Sequence, residues 1–346
     1  MTRTVPVRVV EVHTNAGFDW GDAAIGAVVV VAIAAIVFGL KGASMLSVRS
    51  VVVALVAVAA FAPSAQAFEF SPWGTAVNAE SPAGTSSELN TEFQDGCPIQ
   101  SPDGLSLYMA STRPGGLGGI DIWVAHRESM DAPWGAPVDL PAPVNSASDD
   151  FCPTPTRGGR LFFVSRRTTA GVTCGMGDIY LTRLNPDTGW ADPRHLGCEA
   201  DGGPNTALDE QGPSYVTTGG PTLYYSSGPD IYRSKRHGDG RFGPPEAVAE
   251  LNTTAMDIQP NVRRDGRELV FASNRGGTSA FGGQDIWVST RDGVNDAWSA
   301  PVNLGSAINS AANETRPSLS WDGTTLYFGR APGMPVTSDI FVATRP

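Results

Sequence analysis

The sequence is short of basic residues and lacks the short motifs that mark common catalytic centres. Of its 346 residues, 24 are Lys or Arg and 35 are Asp or Glu, which gives a formal net charge of −11. This charge argues against nucleic acid as the main partner, because phosphate binding needs a basic face. The chain also has no G-x-S-x-G or H-E-x-x-H motif, and its four His residues are scattered. Serine hydrolases with a nucleophile elbow and zinc peptidases are therefore disfavoured.

Charged residues are scarce as well, at 17%, whereas hydrophobic residues make up 41% of the chain. A sequence this apolar and this weakly charged is not typical of a disordered protein. Gly and Pro are abundant, with 40 and 27 copies, and together they far exceed their usual share of about 12%. This excess argues against a helical bundle and predicts a folded protein with many short elements and turns.

The first 67 residues read as export or membrane segments. Residues 23–40 form an apolar run of about the minimum length for a membrane-spanning helix. A second segment, 45–67, has a basic residue, an apolar stretch and a final Ala-Gln-Ala, the pattern of a cleaved signal peptide. We expect 1–44 to be an upstream extension or a membrane anchor, 45–67 a signal peptide and 68–346 the mature domain. The protein would then be periplasmic or secreted, or anchored through 23–40.

The remaining chain repeats itself at a spacing of 52 to 57 residues. The clearest mark is Asp-Ile followed by an aromatic residue, which occurs five times, beginning at Asp121, Asp178, Asp230, Asp285 and Asp339. About 20 residues before each copy, a Pro precedes a turn such as Asp103-Gly104, and apolar runs flank that turn. Asp-Gly between two apolar runs is a strong hairpin signal. Periods of this length are typical of propellers and solenoids.

A fourth segment in each repeat predicts how the fold closes. Aromatic-led segments such as Trp134-Gly-Ala-Pro follow the first four Asp-Ile strands, but the chain ends at Pro346 before a fifth copy. The missing copy lies at the other end, at Trp73-Gly-Thr-Ala. A strand near 70–78 would complete the last sheet and remove its free edge. We therefore predict an all-β protein, a five-bladed β-propeller closed by an N-terminal strand.

These motifs resemble the TolB-type propeller repeat, a WD-repeat-like unit. The resemblance is strongest at Ser101-Pro-Asp-Gly and Gly118-Gly-Ile-Asp-Ile-Trp and extends over about 68–346. It implies a repeat type and an envelope location. It does not imply a role in the Tol complex, because TolB has six blades and an extra domain. Families with this repeat serve mainly as binding platforms, and the fold alone does not decide function.

A carboxylate stands three positions before each repeat Pro, and these five residues define the candidate site: Asp95, Asp150, Glu210, Asp257 and Glu314. At one rim of a central funnel they would hold Ca²⁺ or attract a basic ligand. The structural alternative pairs them with the arginines that end the second strands, Arg113, Arg167, Arg275 and Arg330. The third repeat has no such Arg. We therefore expect a ligand between blades two and three, near Asp209 and Glu210, with Arg167, Tyr215 and Tyr225 as neighbours.

The four cysteines favour two disulfides in an exported chain. Cys97 and Cys152 directly precede the repeat Pro in neighbouring repeats, which favours the pairs Cys97–Cys152 and Cys174–Cys198. Four cysteines allow three connectivities. A zinc site is the alternative, but the sequence has no C-x-x-C spacing to support it.

From these observations we expect an exported, non-catalytic propeller that binds an envelope protein or an extracellular ligand. No cofactor is expected, apart from Ca²⁺ at the acidic rim. One alternative is a glycoside hydrolase that uses two funnel carboxylates about 5–10 Å apart. Another is a structural partner in a Tol-like envelope complex. Contact with a membrane would arise only through an uncleaved N-terminal anchor.

Overall fold

A computed structural model describes residues 71–168, 172–276, 280–332 and 337–346, which form 21 short strands and one 3-10 helix, Glu199–Asp201. The predicted extension 1–44 and signal peptide 45–67 lie outside the described residues, as does the apolar run 23–40. No helix in the described part of the chain is long and apolar enough to cross a membrane. The strands form five antiparallel sheets, which confirms the predicted five-bladed propeller.

Each blade is built from strands that follow one another in the chain. Blade one contains β2 (Asp95–Gln100), β3 (Ser106–Ser111), β4 (Asp121–His126) and β5 (Val138–Asp139). Blade two contains β6 (Asp150–Thr156), β7 (Arg160–Ser165), β8 (Asp178–Asn185), β9 (Gly189–Trp190) and β10 (Arg194–His195). Blade three contains β11 (Glu210–Val216), β12 (Thr222–Ser227), β13 (Asp230–Lys235) and β14 (Glu246–Ala247). Blade four contains β15 (Asp257–Val262), β16 (Glu268–Ser273), β17 (Asp285–Thr290) and β18 (Val302–Asn303).

The last blade is closed by the N-terminal strand, as predicted. It contains β19 (Asn313–Leu319), β20 (Thr325–Ala331) and β21 (Asp339–Thr344), and β1 (Val77–Asn78) pairs with the outer edge of β21. Val77 lies opposite Val342, so the two ends of the domain are joined by backbone hydrogen bonds. This pairing covers the edge of the sheet that β21 would otherwise leave open.

Apolar side chains fill the spaces between neighbouring blades. Five buried clusters are found in the described residues, one in each interface between consecutive blades. The cluster between blades five and one combines Leu107 and Met109 of β3 with Ile340 and Val342 of β21. Both faces of each blade pack against a neighbouring blade, which explains why the second strand of a blade, such as β7 with Leu161-Phe-Phe-Val164, is apolar along its length and does not alternate with polar residues.

The inner strands share a bulge at the residue before the repeat Pro. Cys97, Cys152, Gln259 and Arg316 have φ values of 48° to 56°, and Gly212 takes the same conformation in blade three. A positive φ is uncommon for a residue other than Gly. Its occurrence at the same position in four blades indicates that the inner strand of this propeller requires the bulge. At this level Cys97 bonds to Cys152, and the Arg316 guanidinium donates to the Cys97 sulfur over 3.0 Å. These side chains narrow the central channel to a space of about 30 Å³.

Both disulfides form with the predicted connectivity. Cys97–Cys152 links the inner strands of blades one and two, with 5.0 Å between Cα atoms, and Cys174–Cys198 joins two loops of blade two. Disulfides persist in oxidising environments, which is consistent with an extracellular setting for the domain.

Replacing Cys97 and Cys152 together by Ser should lower the free energy of unfolding by about 2–5 kcal/mol, because the disulfide closes a long loop in the unfolded chain. The two cysteines are 55 residues apart. Urea denaturation of the double variant and of the oxidised parent measures the difference. Equal midpoints and equal slopes would contradict a stabilising role for this disulfide.

Candidate functional site

The five repeated carboxyl groups are completely buried at the start of the inner strands. Each accepts hydrogen bonds from the backbone N–H and the side-chain hydroxyl of a Ser or Thr four residues earlier. For Asp95 these donors are Thr91 N and Oγ1, at 2.6 and 2.7 Å. The equivalent donors in the other blades are Ser146, Thr206, Thr253 and Ser310. The carboxyl group therefore fixes the loop that leads into each inner strand.

Four of the five carboxyl groups also pair with an arginine that follows the end of the second strand or lies within it. The N···O distances are 2.5 Å for Arg113–Asp95, 2.7 Å for Arg167–Asp150, 2.5 Å for Arg275–Asp257 and 2.8 Å for Arg330–Glu314. The same guanidinium groups donate to backbone carbonyls of the preceding loop, such as Leu251 O and Ile308 O. Each of these four buried carboxylates is therefore paired with a positively charged guanidinium group.

An Asn that precedes the Ser or Thr links each blade to the one before it. Asn145 accepts a hydrogen bond from Ile122 N and donates to Ile122 O, both at 2.9 Å. Asn205, Asn252 and Asn309 do the same with Ile179, Ile231 and Ile286, and Asn90 does so with Ile340 across the ring closure. The pattern Asn-[Ser/Thr]-x-x-x-[Asp/Glu] is present in the sequence in all five repeats and is the signal by which this contact could be predicted.

These contacts confirm the predicted pairing of the carboxylates with Arg113, Arg167, Arg275 and Arg330, and they correct the interpretation of the carboxylates as a ligand-binding rim. Asp95, Asp150, Asp257 and Glu314 do not face an open funnel, because their oxygens accept bonds from the protein itself. They leave no open set of oxygen ligands for Ca²⁺ within the residues described, and no surface for a basic ligand. Their regular recurrence reflects a repeated structural task.

Glu210 differs from its four counterparts, as the missing Arg of blade three led us to expect. Thr206 donates to Oε1 from its backbone N–H and its hydroxyl, at 3.1 and 2.6 Å, but Oε2 is buried with no hydrogen-bond partner among the described residues. Burial raises the pKa of Glu210 to about 7, and the hydrogen bonds from Thr206 oppose this shift only in part. Glu210 is thus a carboxylic acid that is neutral in mildly acidic solution.

The other residues expected beside Glu210 are dispersed. Asp209 lies 3.5 Å from Arg166, and Arg167 pairs with Asp150 in blade two. Tyr225 is fully buried, and its hydroxyl donates to Pro204 O at 2.7 Å. Tyr215 lies near the other end of β11 from Glu210 and packs on Phe162. The structure therefore does not assemble the predicted ligand site between blades two and three.

Three side chains of blade two lie close enough together to bind a metal ion, but their ligand atoms already have other partners. Atoms of Cys174, Asp178 and His195 lie within 4.8 Å of one another. Cys174 is bonded to Cys198, so its sulfur is not available as a thiolate, the form that binds zinc. His195 Nε2 is 3.1 Å from the Asp178 carboxylate. The disulfide interpretation of these cysteines therefore holds in preference to the zinc alternative.

Sequence reasoning missed a cavity at the opposite end of the propeller axis. It has a volume of about 290 Å³ and is lined by the ends of all five inner strands and the turns that follow them. Its lining includes Tyr215, Trp321 and three exposed arginines, Arg157, Arg160 and Arg264. The guanidinium carbons of Arg157 and Arg264 lie 5.0 and 5.2 Å from the centre of the Trp321 ring. Arg157, Arg264 and Trp321 lie in turns of three different repeats, and nothing in the sequence indicates that these turns converge on the axis.

The fold of the chain is similar to that of several solved proteins. A xylan β-1,4-xylosidase from Bacillus halodurans matches with a TM-score of 0.48 at 12% identity, over 75% of this chain and 54% of the xylosidase. An α-L-arabinofuranosidase from Lactobacillus brevis matches with a TM-score of 0.47 at 14% identity, over 78% and 94% of the two chains. TolB from Acinetobacter baumannii matches with a TM-score of 0.40 at 14% identity, over 75% and 54%. The chain thus spans about half the length of the xylosidase and of TolB.

No protein-family model and no curated protein sequence matches the chain. At the identities above, the structural matches concern the fold alone. They do not identify any residue of this chain as catalytic, and they do not establish a TolB-type repeat family.

The comparisons nevertheless correct the expected function. We predicted a non-catalytic binding module and not an enzyme, whereas the similar structures are mostly glycoside hydrolases, including the xylosidase, the arabinofuranosidase and two endo-arabinanases. The prediction of a non-catalytic module is therefore wrong.

Replacing Arg275 by Leu should destabilise the protein by about 3–5 kcal/mol, because the buried Asp257 charge would lose its partner. Urea denaturation at neutral pH measures this loss. Arg233→Leu is the control, since Arg233 pairs with Glu246 at the surface and its removal should cost less than about 1 kcal/mol. Equal losses in the two variants would show that the buried pair has no special weight.

Stability should depend on pH through Glu210. Its pKa is about 7 in the folded protein, above that of an unfolded Glu, so the folded state binds the proton more tightly. The resulting stabilisation is fully present below about pH 4 and is lost as pH rises through 7. Between pH 5 and pH 8 the loss should be about 2 kcal/mol.

The matching measurement is urea denaturation of the parent and of Glu210→Gln across this pH range. The variant should lose the Glu210 contribution and show a flatter profile, whereas Glu314→Gln should be less stable at every pH because it leaves Arg330 unpaired. Parallel profiles for Glu210→Gln and the parent would refute the assignment.

Proposed function

We propose that this propeller is a carbohydrate-active protein of the glycoside-hydrolase kind that takes a sugar chain into the axial cavity. The observation that supports this most directly is the lining of the cavity. The indole ring of Trp321 and the phenol ring of Tyr215 stand among neutral hydrogen-bonding side chains that include Gln100, Thr156 and Asn261.

This mixture of groups suits a sugar ring. A sugar presents apolar C–H faces and hydroxyl groups that donate and accept hydrogen bonds. Aromatic rings offer a flat apolar surface with a polar edge, and Ser, Thr, Asn and Gln both donate and accept. The cavity volume of about 290 Å³ lies close to the lower end of the range for small-molecule sites, roughly 300–1,000 Å³.

The proposal assigns no catalytic role to the five repeated carboxyl groups. Glycoside hydrolysis uses two carboxyl groups about 5–10 Å apart on either side of the bond. Four of the five are held in buried ion pairs, and the fifth, Glu210, is covered. No Asp or Glu belongs to the cavity lining in the described residues. The repeated carboxyl groups therefore do not serve as the acid pair in this proposal.

We further propose that the protein works outside the cytoplasm, in the periplasm or the extracellular medium. The two disulfides support an oxidising compartment, and the signal-like segment 45–67 supports export. The TolB-type character of the repeats is part of the same proposal and is supported by the Ser-Pro-Asp-Gly and Asp-Ile-Trp motifs.

The test measures binding and cleavage together. The full chain is titrated by calorimetry with xylan, arabinan and pectin oligosaccharides, and the products are separated by chromatography. Trp321→Ala should weaken binding by about tenfold or more, because it removes the aromatic surface. Phe281→Ala, at an exposed aromatic outside the cavity, should leave binding unchanged.

Two results would contradict the proposal. One is the absence of both binding and cleavage for every oligosaccharide at millimolar concentration. The other is binding that Trp321→Ala leaves unaltered.

A further inference from the structure

The three arginines of the axial cavity have no carboxylate partner among the described residues. Arg157, Arg160 and Arg264 are exposed, and none of them forms an ion pair or a side-chain hydrogen bond within the described residues. Elsewhere the described arginines commonly pair with a carboxylate, as Arg113, Arg275 and Arg330 do. Acidic residues outnumber basic ones, 35 to 24, so the absence of partners here does not follow from a lack of carboxylates.

The positions of these residues in the repeat explain why the cavity is cationic. The second residue after each inner strand, or the first in blade two, is Pro102, Arg157, Thr218, Arg264 or Trp321 in successive blades. These turns converge on the axis. Arg157, Thr218, Arg264 and Trp321 line the cavity, whereas Pro102 does not. The residue at this position differs from blade to blade while the surrounding motif repeats, so the repeated structural task does not account for it.

The carboxylates nearest in sequence are kept away from the cavity arginines. In blades one, four and five an Asp follows this position, but each bonds within its own turn. Asp103 accepts a hydrogen bond from Ser101, Asp265 from Arg263, and Asp322 from Ser320. In blades two and three the equivalent residue is Gly158 or Gly219. The lining of the cavity contains no Asp or Glu of the described residues.

Two of the cations lie at the same aromatic ring. Arg157 and Arg264 both lie near Trp321, at 5.0 and 5.2 Å from the ring centre. Two guanidinium groups within one small cavity repel each other, and a bound anion removes that repulsion. Arginine also binds carboxylates through two parallel hydrogen bonds, which makes it suited to a planar anionic group.

We propose that the sugar taken into the axial cavity is anionic, with a carboxylate such as that of a uronic acid residue. This inference rests on the proposed function and specifies its substrate class. The ring of the sugar would pack on Trp321, and its carboxylate would accept hydrogen bonds from Arg157 or Arg264, with Arg160 adding positive charge.

The closing experiment uses the full chain and calorimetry with three probes: trigalacturonate, its methyl ester and neutral xylotriose. The ester keeps the sugar rings and removes the charges. The acid should bind at least about tenfold more tightly than the ester, and the difference should shrink as salt screens the charges. Arg157→Gln and Arg264→Gln should each remove most of the preference for the acid, measured as the ratio of the affinities for the acid and the ester. Arg233→Gln is the matched control at a distant exposed arginine.

The possible outcomes separate the two proposals. Equal affinity for acid and ester overturns the anionic substrate but leaves the carbohydrate function standing. Binding of none of the three probes overturns both. A preference for the acid that survives both Arg→Gln variants also overturns the assignment to this cavity. If a sulfated sugar binds more tightly than the uronate, the carboxylate is not the preferred anion and the stated substrate class is wrong.

Discussion

A buried carboxyl group at the start of each inner strand organises this propeller. It accepts bonds from a Ser or Thr four residues earlier, and in four blades it pairs with the arginine at the end of the neighbouring strand. The adjacent Asn binds the third strand of the preceding blade. One short segment thus fixes the entry loop, the hairpin and the contact between blades. Because buried charges are costly without partners, these groups keep a fixed geometry, and the ring repeats it five times.

The repeated contacts also decide where a ligand can bind. At the end of the axis where the inner strands begin, the polar groups of the buried carboxylates are bonded to other groups of the protein. Cys97, Cys152 and Arg316 narrow the channel there. At the other end, the strands finish in turns whose sequence is not constrained by these contacts. Trp321, Arg157 and Arg264 occupy equivalent turn positions there without stabilising a turn. The repeated contacts therefore fix the residue types at the end of the axis where the inner strands begin, whereas the residue types at the other end differ from blade to blade.

Much of the fold could be predicted from the sequence because its determinants recur. The five Asp-Ile motifs predicted five blades, and the missing fourth segment predicted closure by an N-terminal strand. The equivalent positions of Cys97 and Cys152 predicted their disulfide. The site could not be predicted in the same way. The carboxylates attracted attention because they repeat, yet repetition marks a structural task. Arg157, Arg264 and Trp321 lie between 57 and 164 residues apart in sequence, and only the closed ring brings them together.

A crystal structure of the protein with a bound oligogalacturonate tests the central claim most directly. Our account predicts a sugar ring against the indole of Trp321, with its carboxylate within hydrogen-bond distance of Arg157 or Arg264. An empty axial cavity at saturating ligand would contradict it, and so would a sugar bound at the opposite face of the propeller, where the inner strands begin.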